Sequence, residues 1–226
     1  MNHRLAGITL GLVVAAAWTM VMAHEVEPME WNFDKDAVGK APAGWKIVFP
    51  APAEGKSAWS VAADPTAPSA PNVFSLTSPT TDDDKVFNLV LAEKSSMKDF
   101  ELKVKLKANG GKADQGGGLV WRAKDEKNYY ICRINPLEGN IRLYTVVDGK
   151  RTQLQSADVN TEAGKWYTLR VLMTNNQISC QLDGKTLIQA TDKTFAEAGM
   201  VGLWTKADAA TSFDDVYANA HHPHDQ

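Results

Sequence analysis

The chain has no basic block. Its 24 Lys and Arg are dispersed against 27 Asp and Glu, leaving a net charge of −3. A nucleic-acid partner, which needs a concentrated positive face, is not expected. Cysteine is scarce: Cys132 and Cys180 cannot make a disulfide framework, although an oxidising compartment would let them pair once. Helical periodicity is absent, because no long stretch repeats apolar residues at three- and four-residue spacing. Beyond the first segment no apolar run is long enough to span a bilayer, so no stable membrane span is expected once that segment is gone.

That first segment is not read as fold. Met1 to Arg4 is basic, Leu5 to Met22 is apolar, and Val21-Met22-Ala23 offers small-residue cleavage chemistry. This is the layout of a secretory signal peptide over residues 1–23. An uncleaved anchor is the competing reading, and the Ala-rich centre and cleavage motif disfavour it. The expected product is periplasmic or secreted. It carries one domain over residues 24–219 and a flexible His-rich tail over 220–226. About 200 residues suffice for one domain with a real core.

Strand signals run from end to end. Phe100 to Lys107 (FELKVKLK) alternates without a fault, apolar against charged. Asp148-Gly149 and Asp183-Gly184 each sit between alternating runs, a strong hairpin signal. Many short strands with close turns and almost no helix predict an all-β sandwich of two antiparallel sheets, in its large form a jelly roll. Gly116 to Gly118 precede a strand rather than a helix, which argues against a phosphate loop and for a bulge or a close backbone approach.

Counting in twos sorts the strand faces. Leu119, Trp121 and Ala123 share one face, and Val120 and Arg122 the other. Tyr130, Cys132 and Ile134 are expected inside, as are Ile141, Leu143, Thr145 and Val147. Both cysteines then read as small core hydrophobes. If the strands are neighbours, one outer face carries Arg122, Tyr129, Arg133, Arg142, Tyr144, Trp204 and Lys206. Aromatic platforms beside guanidinium forks suit a carbohydrate, by stacking on ring faces and hydrogen bonding to oxygens. A solvated face with cross-strand pairs is the plainer alternative. Cleavage after Ala23 would expose His24, whose amine and imidazole form a copper-chelating pair that His221, His222 and His224 could extend. A flexible end binding metal only adventitiously is the preferred reading there.

The runs GGGLVWRAKDEKNYYICRINPLEGNIRLYTVVDGKRTQL, GKWYTLRV, LDGKTL and GMVGLWTKADAATSFDDV, with WNFDKDAVGKAPAGW near the start, resemble the bacterial 3-keto-disaccharide hydrolase domain family. The resemblance implies a concanavalin A-like jelly roll, related in fold to laminin G domains and laminarinase-type glycosidases. It also implies hydrolysis of glycosides oxidised at the sugar C3. The ketone acidifies the C2–H, a base removes that proton, the glycosidic group leaves, and water adds. Such chemistry needs a base and an enolate stabiliser. Arg122 and Arg133 are the candidate stabilisers. Glu138 joins them in the candidate catalytic set, although Asp114 and Asp125 compete with it as the base. Tyr129, Arg142, Tyr144, Trp204 and Lys206 are the candidate substrate-binding residues. Laminarinase-type enzymes carry Glu-x-Asp-x-x-Glu on one strand, and that run does not occur here, so ordinary retaining glucanase activity is not expected. Related sandwiches often hold calcium where the first and last strands meet, and Asp34, Asp36 and Asp215, with Asp214, offer hard oxygen ligands there. A non-catalytic glycan-binding module or a protein-interaction domain stays open as the alternative.

Overall fold

The structure is a computed structural model that describes residues 27–49, 59–77 and 81–220. The expected leader, His24 and the histidine tail lie outside the described residues. The strands are β1 Met29–Trp31, β2 Trp45–Phe49, β3 Trp59–Ala63, β4 Asn72–Leu76, β5 Phe87–Ala92, β6 Phe100–Gly110, β7 Gly117–Asp125, β8 Asn128–Asn135, β9 Asn140–Val147, β10 Lys150–Asp158, β11 Trp166–Thr174, β12 Gln177–Leu182, β13 Lys185–Thr191, β14 Met200–Lys206 and β15 Ala210–Ala220. Among the described residues there is no helix.

The strands form two antiparallel sheets. One has the order β13-β12-β11-β6-β15-β4-β3 with β1 added on β15, and the other has β10-β9-β8-β7-β14-β5-β2. This is the expected jelly-roll sandwich. The alternation of β6 is kept residue by residue: Phe100, Leu102, Val104 and Leu106 are buried, and Glu101, Lys103, Lys105 and Lys107 are half-buried. Both Asp-Gly turns have positive φ at their two central residues, 49° and 79° at Asp148-Gly149 and 47° and 80° at Asp183-Gly184, as a type I′ turn requires.

The intersheet core gathers Trp59, Phe74, Phe100, Trp121, Tyr130 and Phe213 with aliphatic residues from both sheets. Cys132 of β8 and Cys180 of β12 enter it from opposite sheets as free, buried thiols. Hydrogen bonding with Cys132, followed by burial, pushes the Cys180 thiol up. A second cluster lies outside this core, on the outer face of the β10–β2 sheet: Leu89, Leu91, Val120, Ala123, Tyr129, Ile131, Val146 and Trp204, each at most 1% exposed.

Two expected orientations change. The pairing of β7 with β8 slips between Trp121 and Asp125, and Arg122 takes φ +46°. One extra residue reverses the alternation, so Ala123 packs with Val120 in the outer cluster instead of sharing the face of Trp121. Val147, expected inside, stands at the hairpin tip and is exposed.

Candidate active site

The ladder registers map the outer face of the β10–β2 sheet. One row runs Leu89, Trp204, Gly118, Arg133, Arg142 across β5, β14, β7, β8 and β9. The next runs Leu91, Gly202, Val120, Ile131, Tyr144. Arg133 and Arg142 are directly opposed, and like charges so placed repel. Glu138, from the short β8–β9 connection, resolves this with one oxygen: Arg133 Nη2 donates to Oε2 at 2.8 Å, and Arg142 Nη1 lies 2.7 Å from the same atom. Arg133 also donates to the Asn140 side chain and to the Tyr144 hydroxyl at 3.2 Å. Burial pushes the Glu138 carboxyl up, but Arg133, Asn140 and Arg142 together hold it below the usual range.

Asp114 closes the charged end. It reaches this face from the β6–β7 loop and is 4% exposed. Its Oδ1 accepts from Asn135 Nδ2 at 3.2 Å, and Lys206 Nζ lies 3.4 Å from Oδ2. Burial raises its pKa above the ordinary carboxylate value, against the pull of Lys206 and Arg133. The loop is pinned from behind by Asp208. Its carboxylate accepts from three successive amides, Lys112 at 2.6 Å, Ala113 at 3.0 Å and Asp114 at 2.9 Å. Burial pushes Asp208 up, and those amides hold it below the usual range. Gly116 and Gly118 give this end its close approach to β8. A Cβ on Gly116, where φ is +126°, would fall 2.2 Å from Ile134 O, and one on Gly118 would fall 1.9 Å from Cys132 O.

An aromatic wall stands beside the charged end. Arg151, on β10, extends across the face. Its guanidinium carbon is 4.5 Å from the Tyr144 ring centre, 5.2 Å from Phe87 and 5.8 Å from Trp204. Phe87 and Trp204 belong to β5 and β14, on the far side of β8 and β7 in the sheet order, so one side chain bridging them means that the sheet curves concave around the site.

The structure thus brings together Arg133, Glu138, Tyr129, Arg142, Tyr144, Trp204 and Lys206. It does not bring Arg122 with them. The bulge at that residue sends its guanidinium among the loop backbones at the sandwich end. There it donates to Lys98 O (3.0 and 2.7 Å), Phe195 O (2.6 Å) and Asn175 O (2.7 Å), 3.6 Å from Asp99. Fully engaged and 1% exposed, Arg122 is a structural clamp and not an enolate stabiliser. The metal candidates are likewise engaged. Asp34 accepts from Asn72 N and Asp36 from Ala43 N, and Asp215 pairs with Lys105 at 2.9 Å. Among the described residues no three His, Cys, Asp or Glu side chains converge on a point that could hold a metal ion.

The sequence matches the 3-keto-alpha-glucoside-1,2-lyase-like domain family over residues 31–218. The chain belongs to this family. Its fold is shared with solved carbohydrate-active proteins. A carbohydrate-binding module CBM66 from Bacillus subtilis matches at 19% identity over 78% of this chain and 96% of that one, with a TM-score of 0.62. A xylan beta-1,4-xylosidase from Bacillus halodurans C-125 matches at 15% identity over 86% of this chain and 40% of that one, with a TM-score of 0.59. The Crh5 transglycosylase matches at 12% identity over 88% and 86%, with a TM-score of 0.58. No curated protein matches the sequence. Within this family member, sequence reasoning missed Arg151, Phe87, Asn135 and Asp208. Around Arg151 the strand reads Lys-Arg-Thr-Gln-Leu-Gln with no apolar stripe to orient it. Asp208 looks like any turn aspartate until the fold places the β6–β7 loop above it.

Proposed function

We propose that the protein is an exported enzyme that eliminates the aglycone from glycosides oxidised at C3 and then hydrates the product. Asp114 is the base of this reading, in place of Glu138. A base works best with its pKa near the operating pH. Burial lifts Asp114 toward that value, whereas two arginines hold Glu138 down and leave it a poor proton acceptor. In the reaction, Asp114 takes the C2 proton, and the C2–H electron pair passes into an enolate at the C3 oxygen. Lys206, 3.4 Å from Asp114, and the nearby charge of Arg133 are the groups that would stabilise it. Return of the pair to the C3 carbonyl forms the C1–C2 double bond and expels the aglycone oxygen, which takes the proton back from Asp114. Water then adds, hydroxide to C1 and hydrogen to C2. Glu138 keeps the opposed arginines neutralised and aligned.

The observation that carries this reading is the buried Asp114 carboxyl, 3.4 Å from Lys206 and within the field of Arg133, on a concave aromatic face. A glycan-binding module needs the aromatics and arginines but not a carboxyl whose pKa burial raises, and such perturbed groups cluster at sites that move protons. Mass spectrometry of the purified protein with matched disaccharides and their 3-keto derivatives tests it. Cleavage confined to the keto forms is expected. Binding without cleavage of any member would favour the glycan-binding module.

A further inference from the structure

We infer that Asn135 is a positioning residue for the reaction, a side chain that holds the Asp114 carboxylate in place and ties it to the turn carrying Glu138. This rests on the elimination reading above, since it assigns a further role within the same site.

The direction of the Asn135 amide is fixed by its neighbours. The residue ends β8 and is 0% exposed. Its Oδ1 accepts from the backbone amides of Leu137 at 2.9 Å and Glu138 at 3.2 Å. Its backbone oxygen accepts from Gly139 N at 2.9 Å. Asn135 thus receives every amide of the connection 136–139, because Pro136 has none. A side-chain oxygen occupied by two donors turns the NH2 group the other way. That group meets Asp114, with Nδ2 3.2 Å from Oδ1. Gly116 makes the meeting possible: the loop passes so close that a Cβ there would lie 3.0 Å from Asn135 Cα.

An amide NH2 can only donate, so this contact favours the ionised form of Asp114 and one orientation of it. Burial works the other way. A base has to be ionised before it can take a proton, and Asn135 is the uncharged donor that helps to keep it so. With Oδ1 held, Oδ2 is the oxygen left to receive the C2 proton. Lys206 Nζ is 3.4 Å from it, longer than a charge-assisted hydrogen bond. The charged groups around the pair are Lys206 on β14, Arg133 on β8, Arg142 on β9, Glu138 in the β8–β9 connection, and Asp208, whose carboxylate accepts from the Asp114 amide. Asn135 itself does not titrate.

Two variants separate this role from simple capping of the turn. Asn135→Asp keeps an acceptor for the turn amides and replaces the donor facing Asp114 with a second carboxylate oxygen. Asn135→Ser keeps a weaker turn acceptor and no longer reaches Asp114. Each is measured in two ways. One is the pH profile of kcat/KM with a 3-keto-disaccharide. The other is the titration of the Asp114 carboxyl carbon by 13C NMR in aspartate-labelled protein, with Asp114→Asn identifying the signal. Protonation of the base makes kcat/KM fall on the acid side. In Asn135→Asp that limb and the Asp114 titration should both move to higher pH, because two adjacent carboxylates resist ionising together. In Asn135→Ser kcat should fall about ten-fold with KM little changed. A role confined to the turn would lower the urea midpoint but leave the limb and the titration in place, which overturns the inference and leaves the elimination reading intact. A folded Asn135→Ser with wild-type kcat also overturns it, and this variant decides the matter if Asn135→Asp does not fold. An Asp114 titration that moves in Asn135→Asp, while the wild type cleaves no keto-glycoside, supports the hold on Asp114 and defeats the elimination reading.

Discussion

Asp208→Ala tests whether the site is held by one carboxylate from behind. Asp208 accepts from the amides of Lys112, Ala113 and Asp114 at 2.6 to 3.0 Å. Hydrogen bonds to a charged acceptor contribute about 1.5–3 kcal/mol each when buried, but these amides lie near the surface and water replaces much of the loss. A total near 2 kcal/mol is reasonable on that basis. For a domain of this size that corresponds to a fall in Tm of roughly 4–8 °C. The amides hold Asp208 below the usual carboxylate range, so its contribution is present above the unfolded-state pKa and is lost as pH falls through the folded value. The wild type and Asp208→Ala should therefore differ in urea midpoint at pH 7 and converge under strongly acid conditions. Turnover should fall as well, because Asp114 loses its anchor, and Asp208→Asn, with one acceptor oxygen kept, should recover part of both. An unchanged urea midpoint at pH 7 would refute the reasoning. So would a stability difference that persists in acid.

The remaining predictions are independent of one another. Arg122→Ala should cost about 3 kcal/mol or more, since it strips the partners from a buried carboxylate and three carbonyls. The activity of the folded fraction should be retained, and a stable variant without activity would return Arg122 to the catalytic set. Refolding from the reduced, unfolded chain in the presence of oxidised glutathione, where the thiols are still accessible, should join Cys132 to Cys180, two protons and two electrons passing to the oxidant. Closing that loop of 49 residues (180 − 132 + 1) adds about 4 kcal/mol in the chain-entropy account. Recovery of two free thiols from unfolded, oxidised protein would contradict this. Asp214 is buried, and desolvation raises its pKa to about 6. A raised carboxylate favours the protonated folded form, so stability should decline as pH rises through about 6. Asp214→Asn should lack that decline in thermal melts from pH 5 to 8.

The architecture was legible because side-chain period and turn chemistry are local properties. The alternation of Phe100–Lys107 and the Asp-Gly pairs needed no tertiary information. The site was legible where strands stayed regular: Tyr129, Arg133, Arg142, Tyr144 and Trp204 fall on one face by counting in twos. Counting failed at Arg122, where one residue in a left-handed conformation shifts the phase of everything after it. Side-chain period also cannot show which loops meet. Asp114 and Asp208 are 94 residues apart, and only the pairing of β7 with both β8 and β14 brings them together under Lys206. The apolar outer cluster was hidden for another reason. Strands buried on both faces lose their alternation, so Leu89-Val90-Leu91 shows that it is buried but not that its two sides serve different purposes.

The most direct measurement is the rate of aglycone release from a 3-keto-glucoside carrying deuterium at C2, in the wild type and in Asp114→Asn. Removal of the C2 proton by Asp114 predicts slower release from the deuterated substrate, and loss of about a hundred-fold or more in kcat in the variant, with KM little changed. Equal rates for the two isotopes, together with a variant that turns over like the wild type, would contradict the account.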